Sequence, residues 1–430
     1  MSLQHRLLVG SALALVALTP AFAQTPTVAV GGLVQVWYTQ MTDNNLRLNS
    51  TAPYYNLRSE FKENSFSIRR TELKISGKIT DEVSYEVMID PSGTTSSFDK
   101  TKPNSSYNPM ILQDAALLWK IGGGLELKVG QFKTLQTYEG NTSSSELIFA
   151  ERSQLARVFG DKRDRGAILS FGHGDPKAFA WKGSMALFNG MSDLASGKAG
   201  DTNAQKDLVA RLDFTVSGAH KFGLYTLQGS TDQTDKGTLT TYNFAGRPTS
   251  AIDPELLANK DKTSNIGAYY AFQTSSWHLS AEYMTGLLGR RYGSVGTTTT
   301  ATAALREHLD QKFVGYYLTG GYTFTNHSFL LRYDTLNYNS GDNWYTSYNP
   351  YTQNAQGAAL STDYTPKFTE ITVGYTFAWK PEKVKAANFK LNYITRSKNF
   401  LKPNTINTVN SPQTGEQGGN TIVAALQVAF

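Results

Sequence analysis

Apolar and polar residues alternate along most of this chain, in segments of roughly ten residues. One such segment places Phe329, Leu331 and Tyr333 on one face. Arg332 and Asp334 fall on the opposite face. A period of two residues is typical of a β-strand that lies between two unlike environments.

The alternation recurs from one end of the chain to the other. It predicts sixteen strands, an even number, at 30–40, 66–79, 83–90, 111–120, 125–132, 165–172, 179–188, 208–216, 222–230, 265–273, 277–285, 313–324, 327–337, 368–379, 388–398 and 420–430. After the first residues no apolar run reaches the length of about 20 that a membrane-spanning helix needs.

The connections between these strands alternate in length. Short turns include 80–82, 121–124, 274–276 and 325–326. Long polar connections lie between them, at 41–65, 91–110, 133–164, 189–207, 231–264, 286–312, 338–367 and 399–419. Transmembrane β-barrels have short periplasmic turns and long external loops, whereas a soluble sandwich has no reason to sort its connections in this way. We therefore predict an all-β fold, an antiparallel barrel of about sixteen strands, closed because lipid cannot satisfy an open sheet edge.

Tryptophan positions agree with a barrel in a membrane. Trp119 and Trp379 end strands just before short turns, and Trp181 and Trp277 begin strands just after them. All four are expected at the periplasmic rim, where indole rings favour the membrane–water interface. Trp37 is expected near the opposite rim.

The N-terminus predicts export. An apolar run of twelve residues, 7–18, follows Arg6, and Ala21 and Ala23 stand where a signal peptidase cleaves. We predict a signal peptide over 1–23 and one barrel domain over 24–430. The chain has no cysteine, which excludes disulfides and cysteine metal sites, and a net charge of +6 is too small to indicate nucleic-acid binding.

The last strand ends on Phe430 with an apolar outward face. Phe430, Val428 and Leu426 share this face, with Gln427 on the other. We expect the outward face to contact outer-membrane lipid and lipopolysaccharide. A terminal aromatic residue on such a strand resembles the signal that barrel-assembly machinery reads in outer-membrane proteins.

An enzyme is the main competing class, and the chain offers little chemistry for one. The histidines are scattered, and neither H-E-x-x-H nor G-x-S-x-G is present. We predict no catalytic residues, no metal site and no cofactor.

Four stretches in the N-terminal half resemble the phosphate-selective porin O and P family. They are F-S-I-R-R-T-E-L-K-I-S-G-K-I (66–79), L-Q-D-A (112–115), L-E-L-K-V-G-Q-F-K (125–133) and T-S-S-S-E-L-I-F-A-E-R-S (142–153). The resemblance implies a sixteen-stranded, homotrimeric porin that takes up small anions such as phosphate and chloride passively through a water-filled channel. It also implies that the third long connection, 133–164, folds inward and narrows the pore.

The resemblance also implies candidate pore-lining residues. Arg69 and Arg70 match the paired arginines of the second strand, Asp114 matches the acidic residue of the L-x-D-A motif, and Lys133 and Arg152 flank the third loop. By alternation Arg70 and Lys74 face the lumen, whereas Arg69 falls on the other face. For Arg69 this leaves two alternatives open, a β-bulge or a contact with lipopolysaccharide. The full set of pore-lining and anion-binding candidates is Arg69, Arg70, Lys74, Asp114, Lys128, Lys133, Arg152, Arg157 and Arg163.

The lumen is nearly neutral by alternation, which leaves the solute open. On the predicted strands, ten basic and nine acidic residues point into the lumen. The stretch 140–150 of the third loop contains Glu146 but no lysine or arginine. A general or oligosaccharide-diffusion porin without phosphate selectivity is therefore the alternative. Tyrosine and asparagine are frequent in the long connection at 339–351, and both residue types suit sugars.

Overall fold

The computed structural model describes residues 26–42, 64–92, 111–190, 206–231, 261–287, 291–295, 304–308, 312–337, 340–341, 367–379, 386–397 and 420–430. The predicted signal peptide at 1–23 lies outside the described residues. So does most of every long connection except the third.

Sixteen antiparallel strands form one closed barrel, which confirms the predicted fold class. They follow the chain in order around the wall, apart from β12 and β13, which form a separate hairpin. The bounds are β1 Ala29–Met41, β2 Asn64–Lys78, β3 Val83–Ile89, β4 Leu112–Gly122, β5 Leu125–Lys133, β6 Arg163–Asp175, β7 Phe179–Phe188, β8 Asp207–Val216, β9 His220–Thr231, β10 Asp261–Gln273, β11 Trp277–Leu287, β12 Arg291–Val295, β13 Ala304–His308, β14 Lys312–Phe324, β15 His327–Asn337, β16 Lys367–Ala378, β17 Ala387–Arg396 and β18 Thr421–Ala429.

The long connection 286–312 contains β12 and β13, two short strands that the alternation does not predict. Five residues of β12 pair with five of β13, from Arg291 opposite His308 to Val295 opposite Ala304. The two strands are short and do not join the barrel, so the order of the barrel wall is unchanged.

The alternation along each strand follows the two sides of the wall. On β15, Phe329 and Leu331 point outward and are 60% and 54% exposed. Arg332 and Asp334 point inward and are 0% exposed. On this strand the outward side chains are therefore apolar, and the charged ones point into the barrel.

The barrel closes where β18 pairs with β1, from Met41 opposite Thr421 to Leu33 opposite Ala429. Phe430 extends this pairing, since its backbone N–H donates to Gly32 at 3.0 Å and its carbonyl accepts from Gly32 at 2.9 Å. A side chain on Gly32 would overlap the Glu72 carbonyl oxygen and the Phe430 ring, which explains the glycine. The ring is 70% exposed on the outer face.

The tryptophans divide into two groups. Trp119, Trp277 and Trp379 lie near the short-turn end and are about half exposed on the outer face. Trp37 points inward and is buried against Ala150, so the expectation that it lies at the opposite membrane rim is wrong. It shares the inward face of β1 with Leu33 and Gln35 because alternate residues of a strand face the same way. No helix among the described residues is long and apolar enough to cross a membrane.

The main hydrophobic cluster lies inside the barrel. The connection between β5 and β6 enters the lumen, and its Leu155 is 0% exposed. Leu155 packs among inward-facing side chains of several strands, including Tyr225, Met284, Phe313 and Leu336. The loop and the wall therefore share one hydrophobic core. Burial of one such leucine contributes about 1.5–3 kcal/mol to stability.

Candidate functional site

The inward loop, residues 134–162, is folded locally before it meets the wall. It contains a short helix, α1 (Tyr138–Asn141), a 3₁₀ turn (Ser144–Glu146) and a π-helical turn (Ala156–Gly160). Thr137 caps α1, since its hydroxyl oxygen accepts from the Gly140 N–H at 3.0 Å. The two limbs of the loop cross at Gly140 and Gly160, where a side chain on either residue would overlap the other limb.

Buried charges attach the loop to β15 and β16. Arg332 donates to the Glu139 carboxylate at 3.2 Å and to the carbonyl oxygens of Glu151 and Arg152 at 3.1 and 3.2 Å. Arg157 of the loop forms a 2.7 Å ion pair with Glu370 of β16. Because each of these charges is buried beside its partner, removal of one partner would leave an uncompensated charge.

Further contacts attach the loop to the rest of the wall. Lys390 of β17 donates to the Leu147 carbonyl at 2.5 Å. Arg211 of β8 donates to the carbonyls of Leu135 and Thr137, each at 3.0 Å. The Tyr138 N–H donates to Glu282 of β11 at 2.6 Å. The loop thus spans the lumen and is held on opposite sides of the barrel.

A bulge in β2 brings the two adjacent arginines to the loop. The register with β1 shifts between Gln35, opposite Arg70, and Val36, opposite Ile68, which leaves Arg69 as the extra residue. Arg69 forms a 2.8 Å ion pair with Glu151 and lies over the Trp37 ring. Arg70 lies 3.9 Å from the same carboxylate. It is only 5% exposed, so it is almost completely buried.

The arginines determine the ionisation of Glu151. Burial alone would raise the pKa of Glu151, but the positive charges of Arg69, Arg70 and Arg157 together hold it well below its usual range. The carboxylate therefore stays charged, and it neutralises guanidinium groups that the sequence alone would assign to the pore.

Asp161 forms a second charged cluster at the end of the loop. It pairs with Arg152 at 2.7 Å and with Lys133 at 3.1 Å. Arg163 lies 3.9 Å from it and pairs with Asp114 of β4 at 2.9 Å. Burial alone would raise the pKa of Asp161, but Arg152 and Lys133 hold it well below its usual range.

The loop leaves an open cavity of about 1130 Å³ beside it in the lumen. On the wall of this cavity, Glu86 lies between two lysines, 2.8 Å from Lys74 and 2.5 Å from Lys128. Lys182 pairs with Glu126 at 3.0 Å beside them. The side chains of Lys74 and Lys182 are 46% and 49% exposed, so their ammonium groups contact the water in the lumen.

The structure separates the nine predicted pore residues into two sets. Those that border the cavity are Lys74, Asp114, Lys128, Lys133 and Arg163. Those that do not border it are Arg69, Arg70, Arg152 and Arg157, which lie beside carboxylates of the loop or the wall. Arg152 in particular is 0% exposed.

The acidic partners of the basic residues, and the wall side chains that hold the loop, were not predicted from the sequence. Glu151 and Asp161 each join several basic residues, and Arg332 and Lys390 hold the loop. Alternation does place Arg332 and Lys390 on the inward face. Alternation does not indicate which loop atoms these two side chains contact.

The family of the chain follows from a comparison with protein-family models. The model described as "Phosphate-selective porin O and P" matches residues 45–430, which is most of the chain. The chain belongs to this porin family. A comparison with curated protein sequences finds no significant match.

Solved structures match this porin at low sequence identity. The Salmonella typhi OmpF complex with daunomycin is 11% identical, with a TM-score of 0.51, over 94% of this chain and 97% of that one. An anion-selective porin from Comamonas acidovorans is 10% identical, with a TM-score of 0.48, over 94% and 100% of the two chains. The trimer form of OmpT from Vibrio cholerae is 10% identical, with a TM-score of 0.47, over 95% and 100%.

Family and fold together place this porin in the outer membrane as a channel. The short turns then lie on the periplasmic side and the long connections on the external side. The inward loop is the third external connection, and the cavity beside it is bordered by loop residues such as Asn141 and by residues near the periplasmic end such as Gln273.

Proposed function

We propose that this porin passes small anions, chloride and phosphate among them, with a modest preference over cations. The observation that carries the proposal is the lysine pair at Glu86. Lys74 and Lys128 share one carboxylate, so this part of the cavity wall carries one net positive charge. Charge on a narrow, low-dielectric wall raises the local concentration of ions of opposite sign.

The preference is expected to be modest because most charges along the cavity have partners. Its border contains equal numbers of acidic residues (Glu72, Glu86, Asp114, Glu126, Glu139, Glu146 and Asp213) and basic ones (Lys74, Lys128, Lys133, Arg163, Lys182, Arg211 and Lys221). Arg69, Arg152 and Arg157 are paired with carboxylates on the loop or the wall. Partial rather than complete slowing of chloride current by millimolar phosphate is the expected consequence.

The proposal also covers the oligomeric state of the porin, its lipid contacts and its assembly. We propose that the porin is a homotrimer, that its outward face contacts outer-membrane lipid and lipopolysaccharide, and that assembly machinery reads Phe430. The apolar outward face and the exposed Phe430 ring support the last two.

Reversal potentials in planar bilayers test the anion preference. In a tenfold KCl gradient we expect about 20 mV on the anion side, against about 59 mV for an ideally selective channel. Lys74→Gln with Lys128→Gln should bring the potential to zero or to the cation side. Lys177→Gln, on the exposed turn between β6 and β7, is the matched control and should leave it unchanged. A cation-selective wild-type channel would contradict the proposal and favour a general diffusion porin.

A further inference from the structure

The cavity has a second wall with different chemistry from the lysine wall. Two tyrosines lie against each other there, Tyr138 of the loop and Tyr269 of β10, with ring centroids 4.7 Å apart and an angle of 20° between the rings. The guanidinium of Arg211 lies 5.1 Å from the Tyr269 ring. Tyr269 is 7% exposed, whereas Tyr138 is only partly buried and borders the cavity.

A carboxylate is fixed beside these rings. Asp213 of β8 accepts from the Tyr269 hydroxyl at 2.5 Å and from Arg211 Nε at 2.8 Å. Arg211 is held in turn by two loop carbonyls, so it cannot swing away from Asp213. The Asp213 side chain is nevertheless 29% exposed, and it borders the cavity.

The charge of this wall excludes some ligand classes. Arg211 neutralises Asp213, so neither an anion nor a cation gains a net attraction. A purely apolar ligand would remove water from the exposed carboxylate without replacing its hydrogen bonds, which is costly. A neutral ligand that donates hydrogen bonds and has an apolar face satisfies both parts of the wall.

Sugars have this combination of groups. Their C–H faces pack on aromatic rings, and their hydroxyl groups donate to a carboxylate oxygen. We propose that Tyr138 and Asp213 form a sugar-binding site in the cavity, with Tyr138 as the ring that contacts the sugar and Asp213 as the hydrogen-bond acceptor. The proposal rests on the open channel proposed above but not on its ion preference. At about 1130 Å³ the cavity exceeds the usual upper size of a small-molecule site, so a short oligosaccharide fits it.

Titration of the channel current with maltose tests the site. In the wild-type channel, maltose should lower the chloride current saturably, and more than a polyethylene glycol of the same hydrodynamic size. Tyr138→Ala should raise the apparent Kd for maltose roughly tenfold, as expected for loss of one aromatic contact. Tyr138→Phe keeps the ring and should stay within about twofold of wild type. Tyr283→Ala, which removes a tyrosine from the outward face, is the matched control.

Two further measurements keep the outcome unambiguous. Asp213→Asn should also weaken maltose binding, and calorimetric titration of the purified protein with maltose detects binding even if a variant conducts abnormally. Equal effects of maltose and polyethylene glycol on the wild-type channel, or an unchanged Kd in folded Tyr138→Ala, would overturn the sugar site. A channel that binds maltose but prefers cations would overturn the anion proposal alone.

Discussion

Arg332 is the residue whose loss should release the inward loop with the least change elsewhere. Its side chain is 0% exposed and donates to three loop acceptors, the Glu139 carboxylate and the carbonyls of Glu151 and Arg152. It also lies over the Phe149 ring at 4.7 Å. Arg332→Leu keeps an apolar side chain of moderate size against Phe149 but removes every one of these donors.

The magnitude follows from the buried ion pair. Removing one partner of such a pair costs about 3–5 kcal/mol, because the other charge remains buried without compensation. In these three hydrogen bonds Arg332 contacts the loop and not its neighbouring strands. Its loss should therefore raise the free energy of the loop-closed channel relative to the loop-open channel. The population of loop-open channels should therefore rise by about 10²- to 4 × 10³-fold, at about 1.4 kcal/mol per factor of ten.

A single cysteine reports this opening. The chain has no cysteine, so Ser153→Cys introduces the one thiol present. Ser153 is 0% exposed in the loop, and its hydroxyl makes only a 3.4 Å contact with the Ala156 N–H, so the change should be tolerated. A maleimide should label Cys at this position slowly in the parent and much faster when Arg332→Leu is added.

Two controls separate loop release from general loosening. Leu331→Ala alters the adjacent outward residue and should leave labelling at position 153 unchanged. Lys177→Cys, on an exposed turn, should label at the same rate with and without Arg332→Leu. An unchanged labelling rate at position 153 in a folded Arg332→Leu channel would refute the view that this arginine holds the loop closed.

Three shorter predictions follow from the same geometry. Glu86→Gln should move the reversal potential further to the anion side, because it frees two lysines from their shared carboxylate. Acid should open the loop only at low pH, because the pKa values of Glu151 and Asp161 are depressed in the folded protein. Their stabilisation is complete above the ordinary carboxyl pKa of about 4 and is lost progressively below it. Because maleimide reacts with the thiolate, the labelling rate of Ser153→Cys is divided by that of Lys177→Cys at the same pH, and this ratio should be constant from about pH 7 to 5 and higher near pH 3. Phe430→Ala should lower the amount of folded barrel in the outer membrane while leaving single-channel conductance near wild type, which surface quantification and bilayer recording would show.

The barrel wall could be predicted because each strand carries its own signal. Lipid on one side and a charged lumen on the other impose a period of two, and this period is visible without knowledge of any partner strand. The hairpin of β12 and β13 was missed for the same reason. Its strands lie outside the barrel wall, so that environment does not act on them.

The bulge at Arg69 shows where alternation stops being informative. Strict alternation places Arg69 and Arg70 on opposite faces, and one inserted residue is enough to bring both to Glu151. A bulge in β2 depends on its register with β1, which is a property of two segments and not of one. The sequence therefore left a bulge and a lipopolysaccharide contact as alternatives at this residue.

The same limit applies to the charge of the pore. Counting inward residues indicates a nearly neutral lumen, and that count treats every charge alike. In the folded porin, Arg152 and Arg332 are 0% exposed and hold the loop, whereas Lys74 and Lys182 are about half exposed to the lumen. Which charges belong to which group depends on the path of the inward loop, because side chains that pack against the loop are covered and those that border the cavity are not. We therefore expect the selectivity of this porin to depend less on how many basic residues face inward than on which of them the loop leaves uncovered.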